Sequence, residues 1–543
     1  MLELNKKFLS SEEWKNAGVS LPEFNIDDMR KATKAAPEWL HFGAGNIFRG
    51  FIAVLQQRLL NAGLAKTGII ASDTFDYEII DRIYAPHDNL SLLVLMKADG
   101  TLEKEVVASV AEAVHADSSD GAAWERMKTI FRSPSLKMVS FTITEKGYST
   151  TNIDGSINKT ASADMQAGPA HPVHAMSVVT ALAYERFCNG ASPIAFVSMD
   201  NCSHNGEKLS NSVFAIAEAW CRNGFVSKDF VDWLHNEKKV SFPWSMIDKI
   251  TPRPAAVVQE QLEKAGIKGM EPITTSKGTY IAPFVNSEKP QYLVIEDSFP
   301  AGRPAFEKLK DCGVYLTDRD TVNRTEQMKV TTCLNPLHTA LAVYGCLLGY
   351  KSIAEEMKNP LLVKLVKKIG YDEGLPVVVN PGILNPLDFI NEVVEERVPN
   401  PYIPDTPQRI ATDTSQKVPV RYGETIKSYI KIKKTMDFMI GIPLAIAGWL
   451  RYLLAIDDTG AEMALSSDPM LNELRESLKD VVFGKPESAS GVLKPLLSNP
   501  VIFGVDLYSS PYSTGLAKKI EVLFGKLIAG KGAVTKVLED FLK

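Results

Sequence analysis

The sequence predicts two architectures in one chain: an α/β domain over residues 1–310 and a mostly α-helical domain over residues 311–543. Three observations carry that expectation. Buried-strand patterns alternate with helical patterns through the first half, as an open, largely parallel sheet requires. Two glycines, Gly43 and Gly45, stand between the first of these strands and the first helix. Beyond about residue 315 helical patterns take over, among them "TALAVYGCLLGY", "PLLVKLVKKIG", "LAIAGWLRYLLAI", "LNELRESLKDVVFG" and "KKIEVLFGKLIAG".

Taken in order, "EWLHFGAG" reads as a strand ending in glycines. "IFRGFIAVLQQRLLNAG" has helical periodicity and stops at Gly63. "TGIIASD" is a second strand, ending at Asp73. "LSLLVLMKADGTLEKEVV" reads as two strands around an "ADG" turn. "LKMVSFTITEKGY" and "SPIAFVSMDNCSHNG" are two further buried strands, each running into a polar cluster. Between them, "STTNIDGSINKTASADMQAGPAHP" reads as a long polar surface loop. After "QYLVIEDSFPAGRP" the character changes, which places the domain boundary near residue 310.

Composition narrows the classes. Of 543 residues, 45% are hydrophobic and 23% charged, an ordinary globular mix. The net charge of -5 gives no basic excess for nucleic acid or anionic membrane. The most apolar run, "FMIGIPLAIAGWL", is 13 residues long, too short to span a bilayer, and reads as a buried helix. The start of the chain lacks an apolar run of signal-peptide length, and the six cysteines form no CxxC pair. Reduced thiols and a cytoplasmic location are the expectation. The eight histidines show no HxxxH or HExxH spacing, and no metal site is expected. Nothing in the chain signals an oligomeric state.

The glycine turn is where chemistry first shows. Gly43 permits a tight turn, and Gly45 lets backbone approach a pyrophosphate that the following helix N-terminus favours. Asn46 and Ile47, where the turn meets that helix, join the cofactor set. The third glycine of the usual fingerprint falls at Phe48, and Gly50 is expected to serve the close helix–strand contact instead. Asp73, at the end of the second strand, is placed to bind an adenosine ribose, with Asp76 less well placed. A carboxylate there repels a 2′-phosphate, so NAD is the expected cofactor. Glu145 and Lys146 end a later strand at the carboxyl edge, where ligands bind in open α/β sheets.

"HFGAGNIFRGF", "TITEKGY", "MDNCSHNG", "FPWSMIDKITPRP", "VIEDSFPAGRP", "EQMK…LNPLH" and "DTSQKVPVRYGETI" occur in that order. By these motifs the chain resembles the mannitol dehydrogenase family, the long-chain polyol and hexuronate dehydrogenases, nearly end to end. The resemblance implies a Rossmann-type N-terminal domain, a helical C-terminal domain, and metal-independent hydride transfer with lysine as general acid/base. By position it implies Lys329 as that lysine. It implies Asn201 and Asn335 as amides that polarise the reacting oxygen, His338 as the substrate-orienting histidine, and Glu326 as the carboxylate of a proton path. Family members divide between neutral polyols and hexuronates. A sugar acid calls for a cation, preferably arginine. Arg421 and Lys417 are the candidates, with Lys146 and Arg303 behind them. The expected reaction interconverts a keto-hexuronate and its aldonate, D-fructuronate and D-mannonate. Mannitol 2-oxidation and tagaturonate reduction are the alternatives, and an NAD-binding regulator is the non-enzymatic one.

One departure from the family pattern has a physical consequence. Four residues separate the lysine and asparagine in the family, whereas five lie between Lys329 and Asn335. On an unbroken helix Lys329 and His338, nine residues apart, fall roughly half a turn out of phase. Pro336 disfavours helical dihedrals at Asn335. The expectation is a kink or a single-turn π-bulge between 330 and 336. Alternatively, Asn335 caps a new helix with Pro336 at its first position.

Overall fold

The computed structural model describes residues 2–7, 9, 12–97, 99–152 and 155–542. The chain forms two compact units. One comprises Met1–Lys97 and Thr101–Asn323, the other Ala98–Gly100 and Arg324–Lys543.

The first unit is built on a six-stranded parallel sheet: β1 (Trp39–Phe42), β2 (Ile69–Asp73), β3 (Val110–His115), β4 (Met138–Phe141), β5 (Ile194–Ser198) and β6 (Val240–Ser241). Their order in space is β6-β5-β4-β1-β2-β3, with every neighbouring pair parallel. This is the doubly wound order whose switch point lies between β1 and β4, where ligands bind beyond the strand ends. Strands covered on both faces need unbroken apolar runs. Accordingly β1, β2, β4 and β5 are buried at every residue. Polar residues inside this layer are paired. His41 in β1 bonds the hydroxyls of Ser140 at 2.6 Å and Thr142 at 2.8 Å across the switch point. Burial holds its pKa down to about 3, so it is neutral.

Four further strands, Phe284–Glu288, Ser91–Met96, Leu102–Val107 and Val19–Ser20, form a second sheet. The expected hairpin is therefore present as an antiparallel pair, but outside the parallel sheet. Of its "ADG" turn, Ala98 lies outside the described residues. The segment expected as a bare polar loop carries a helix, Lys159–Ala167. Asn158 caps it by accepting from the Thr160 and Ala161 amides, and Gly168 ends it at φ +82°. Residues 153 and 154 of that segment lie outside the described residues.

The second unit is helical. The apolar run became the helix Gly441–Tyr452, buried at every residue. Among the described residues no helix is long and apolar enough to cross a membrane. The first turn of this helix is held by a buried carboxylate. Glu373 accepts from the amides of Ile440 and Gly441 at 2.6 Å and Ile442 at 2.7 Å, a favourable placement of charge at a helix N-terminus. Tyr344 of the helix Asn335–Leu348 donates to the Leu444 carbonyl at 2.8 Å. Gly448 makes room for that ring, since a Cβ there would stand 2.8 Å from it.

Candidate functional site

At the switch point the β1 strand leaves the sheet through Gly43 at φ +104°. A Cβ at Gly43 would come within 2.1 Å of the Thr142 carbonyl, so only glycine passes here. Gly45 is the opposite case, with nothing within 4 Å of its Cβ position. Open space above the backbone, at the start of the helix that begins at Asn46, is what a pyrophosphate needs. Gly50 does serve close packing, though against Val285 of the second sheet. The turn is braced by buried side chains. Tyr84 donates to the Ala44 carbonyl at 2.9 Å, and Arg49 donates to the Asn46 side-chain oxygen at 2.8 Å.

Asp73 closes β2 as expected, but its carboxylate also organises the backbone. One oxygen accepts from the amides of Phe75 at 2.8 Å and Asp76 at 2.9 Å, and the other accepts from Ala44 at 3.2 Å. Burial raises its pKa, while these amides oppose the shift. Asp76 is buried and bonded to Thr275 at 2.7 Å.

Two polar loops follow β4 and β5, and Asp200 joins them. Its carboxylate accepts from the Ile143 amide at 2.8 Å, the Thr144 amide at 3.0 Å and the Tyr148 hydroxyl at 2.6 Å. Thr144 is thereby held at φ +65°, a strained conformation for a β-branched residue and a common feature of functional loops. Glu145 and Lys146 are exposed on the short helix Thr144–Tyr148, and Glu145 pairs with Lys208. Asn201 is exposed next to Asp200. Asn205 is buried and fixes the same loop through the Asp200 carbonyl at 3.0 Å and Ser245. Asp200 was missed in the sequence, although its signal, an acid directly before Asn201, is in plain view.

In the second unit the stretch from Lys329 is not a regular helix. Lys329–Cys333 forms a π-turn, closed by the Leu334 amide donating to the Lys329 carbonyl at 3.1 Å. Leu334 leaves helical geometry at φ -128°, and a new helix starts at Asn335 with Pro336 in its first turn. The expected π-turn is present and a new helix does follow it, but Leu334, not Asn335, takes the cap position. Asn335 is the first helical residue, Pro336 the second, and among the described residues no side chain caps the helix. Lys329 is buried at 3% exposure, and Glu326 lies one turn before it, half-buried.

The helices Thr414–Arg421 and Gly423–Lys431 brace this break. Tyr422 donates to the Pro336 carbonyl at 2.9 Å and Thr425 to the Thr331 carbonyl at 3.3 Å. Arg421 donates through one nitrogen, Nη1, to the Thr339 hydroxyl and to the Asn335 carbonyl at 3.5 Å. Its Nε and Nη2 make no hydrogen bond among the described residues. Lys417 bonds the carbonyls of Ile410 at 2.9 Å and Thr412. Burial, aided by the Arg421 charge, lowers its pKa to about 8. His338 approaches Asp405 at 3.4 Å, and Asp405 also pairs with Arg409. Burial nevertheless holds His338 down to about 4, so the imidazole is neutral at pH 7 and the Asp405 contact is not an ion pair. Asp405 and Arg409, one helical turn apart, were not singled out in the sequence.

Arg303 is the exception among the candidate cations. It is clamped by Asp297 at 2.7 and 3.0 Å and by Glu307 at 2.6 Å, which closes the "DSFPAGRP" loop. With two carboxylates already on it, Arg303 is locally compensated and less available to a substrate acid than Arg421.

This geometry agrees with comparisons to known proteins. Residues 37–308 match the model of the mannitol dehydrogenase Rossmann domain, and residues 321–520 that of the mannitol dehydrogenase C-terminal domain. The chain belongs to the mannitol dehydrogenase family of oxidoreductases. Within it, the chain is 55% identical to D-mannonate oxidoreductase of Thermotoga maritima, with 99% of each covered. It is 27% identical to D-mannonate oxidoreductase of Escherichia coli, covering 81% of this chain and 87% of that one. Among solved structures it resembles Pseudomonas fluorescens mannitol 2-dehydrogenase in its ternary complex with NAD and D-mannitol. The TM-score is 0.69 and the identity 26%, over 100% of this chain and 99% of that one.

Proposed function

We propose that the protein is an NAD-dependent oxidoreductase, a fructuronate reductase that interconverts D-fructuronate and D-mannonate. Residues 1–310 hold the cofactor, and residues 311–543 carry the acid/base and substrate groups. The observation that carries the substrate class is Arg421. It is anchored by Nη1 at the start of the helix bearing Asn335 and His338, and two of its donor nitrogens remain for a carboxylate. The likeness to D-mannonate oxidoreductase supports the same reading.

NAD, when bound, supplies the hydride acceptor and donor. Gly43, Gly45, Asn46 and Ile47 receive its pyrophosphate, Asp73 disfavours a 2′-phosphate on its ribose, and Glu145 lies along the same strand edge. Lys329 holds or accepts the proton of the reacting hydroxyl, and Glu326 passes it toward water. Asn335 donates to the reacting oxygen in the second unit, and Asn201, exposed beside Asp200, is the candidate amide of the first. His338, neutral, orients the sugar by hydrogen bonding, while Lys417 adds positive charge for the acid group, and Lys146 is the candidate cation of the first unit. The six cysteines form no CxxC pair in the sequence, and a cytoplasmic setting is the reading that goes with it.

The test follows NADH absorbance with D-fructuronate, tagaturonate and fructose in parallel. D-Fructuronate is expected to be the preferred substrate. Preference for fructose would place the enzyme on the polyol side, and preference for tagaturonate would shift it to the neighbouring hexuronate. Arg421→Met is expected to raise KM for D-fructuronate about tenfold or more, the worth of a charge-assisted pair. An unchanged KM would remove Arg421 from the substrate site.

A further inference from the structure

Phe75 stands out in the first unit. It is 64% exposed, whereas no other phenylalanine among the described residues exceeds 43%. Scattered exposed apolar residues are ordinary, but three features separate this one. It lies two residues beyond Asp73, at the carboxyl end of β2. Its backbone is fixed there by the bond from its own amide to the Asp73 carboxylate at 2.8 Å. One face of its ring is already covered, since the Lys277 ammonium lies 5.3 Å from the ring centroid.

Lys277 is held in place by more than the ring. It belongs to the turn between the short strands Ile273–Thr274 and Tyr280–Ile281. That turn is tied to the segment after Phe75 at two points. Thr275 donates to Asp76 at 2.7 Å, and the Ser276 amide donates to Glu78 at 2.8 Å. The fold therefore builds a supported aromatic plate, with a cation on one face and solvent on the other.

We infer that Phe75 is the stacking platform for the adenine of the bound dinucleotide, with Lys277 backing the ring. This rests on the nucleotide reading of Gly43, Gly45 and Asp73. In a doubly wound sheet a pyrophosphate at the first turn and a ribose at the second strand direct the base outward past that strand end. Phe75 is an exposed aromatic surface standing there. A base stacks on an aromatic ring without regard to hydrogen-bond pattern, and the cation on the far face adds electrostatic support to the ring.

The test is calorimetric titration of wild type, Phe75→Ala and Phe75→Trp with NADH and with ADP-ribose, which keeps the adenosine half and lacks nicotinamide. Phe75→Ala is expected to weaken both ligands by the same factor, about tenfold, with an unchanged thermal midpoint, and Phe75→Trp to restore them. Wild-type affinity in Phe75→Ala would overturn the platform alone, as would a loss for NADH without one for ADP-ribose. Wild type that binds neither ligand would overturn the nucleotide reading itself, and the platform with it.

Discussion

Lys329→Met is expected to lower kcat for ketone reduction by about 10²- to 10⁴-fold, the usual contribution of a positioned general acid/base. Methionine keeps the apolar stem and volume of the lysine at a 3% exposed position, so the variant should fold. NADH affinity should stay within about twofold, since an acid/base group acts in the chemical step rather than in ground-state binding. Stopped-flow NADH oxidation with saturating D-fructuronate separates these quantities. Retention of the wild-type rate would mean that the five-residue spacing has taken the lysine out of the chemistry, leaving another group to move the proton. Loss of NADH binding together with kcat would point to collapse of the π-turn instead.

Glu356→Met is expected to stabilise the protein, by about 3 kcal/mol at pH 7. Glu356 is fully buried in the second unit, and neither carboxyl oxygen has a hydrogen-bond partner among the described residues. It packs so closely that a Cβ on Gly345 would stand 2.1 Å from Oε1, with Pro407 also in contact with that position. Burial pushes its pKa up to about 9 from 4.5, so the folded protein keeps the carboxyl protonated at neutral pH while the unfolded chain ionises it. The unfolded state therefore binds fewer protons between pH 4.5 and 9, and stability falls as pH rises through that window. Methionine has no such proton to hold. The gap between variant and wild-type thermal midpoints should widen from pH 5 to pH 9. A gap that stays constant with pH would show that Glu356 does not titrate in this way.

The contrast between Glu355 and Glu356 illustrates what could be read in advance. In "IAEEMK" the two carboxylates look alike, yet one is exposed and its neighbour fully buried. Glu356 packs against Gly345, eleven residues earlier, with Pro407, some fifty residues later, at the same position, and neither neighbour is evident from the local sequence. The same limit applies to Arg303, whose charge was legible but whose two carboxylate partners were not. Periodicity did locate β1, β2, β4 and β5, because strands buried on both faces must be continuously apolar. It did not locate β3, "VAEAVH", an edge strand with only its end regions buried and a composition that also suits a helix. Nor could it sort Ser91–Met96 and Leu102–Val107 into a second sheet, since sheet membership depends on a partner, Phe284–Glu288, that is remote in sequence. The glycine turn and the Lys329–His338 stretch were readable because each carries its requirement locally, in a φ only glycine adopts or a proline only a helix start accepts.

The π-turn at Lys329–Cys333 also bears on how this domain tolerates a change of length. Adding a residue to a continuous helix rotates everything after it by about 100°. That would turn all fourteen residues of Asn335–Leu348 away from their neighbours, including Tyr344 from its bond to Leu444. Confined to one wide turn, and followed by a helix that begins afresh at Asn335, the same addition is a local event. The downstream helix keeps its rotational register against the helices it packs on, so a residue added within this turn leaves the rest of the domain in place.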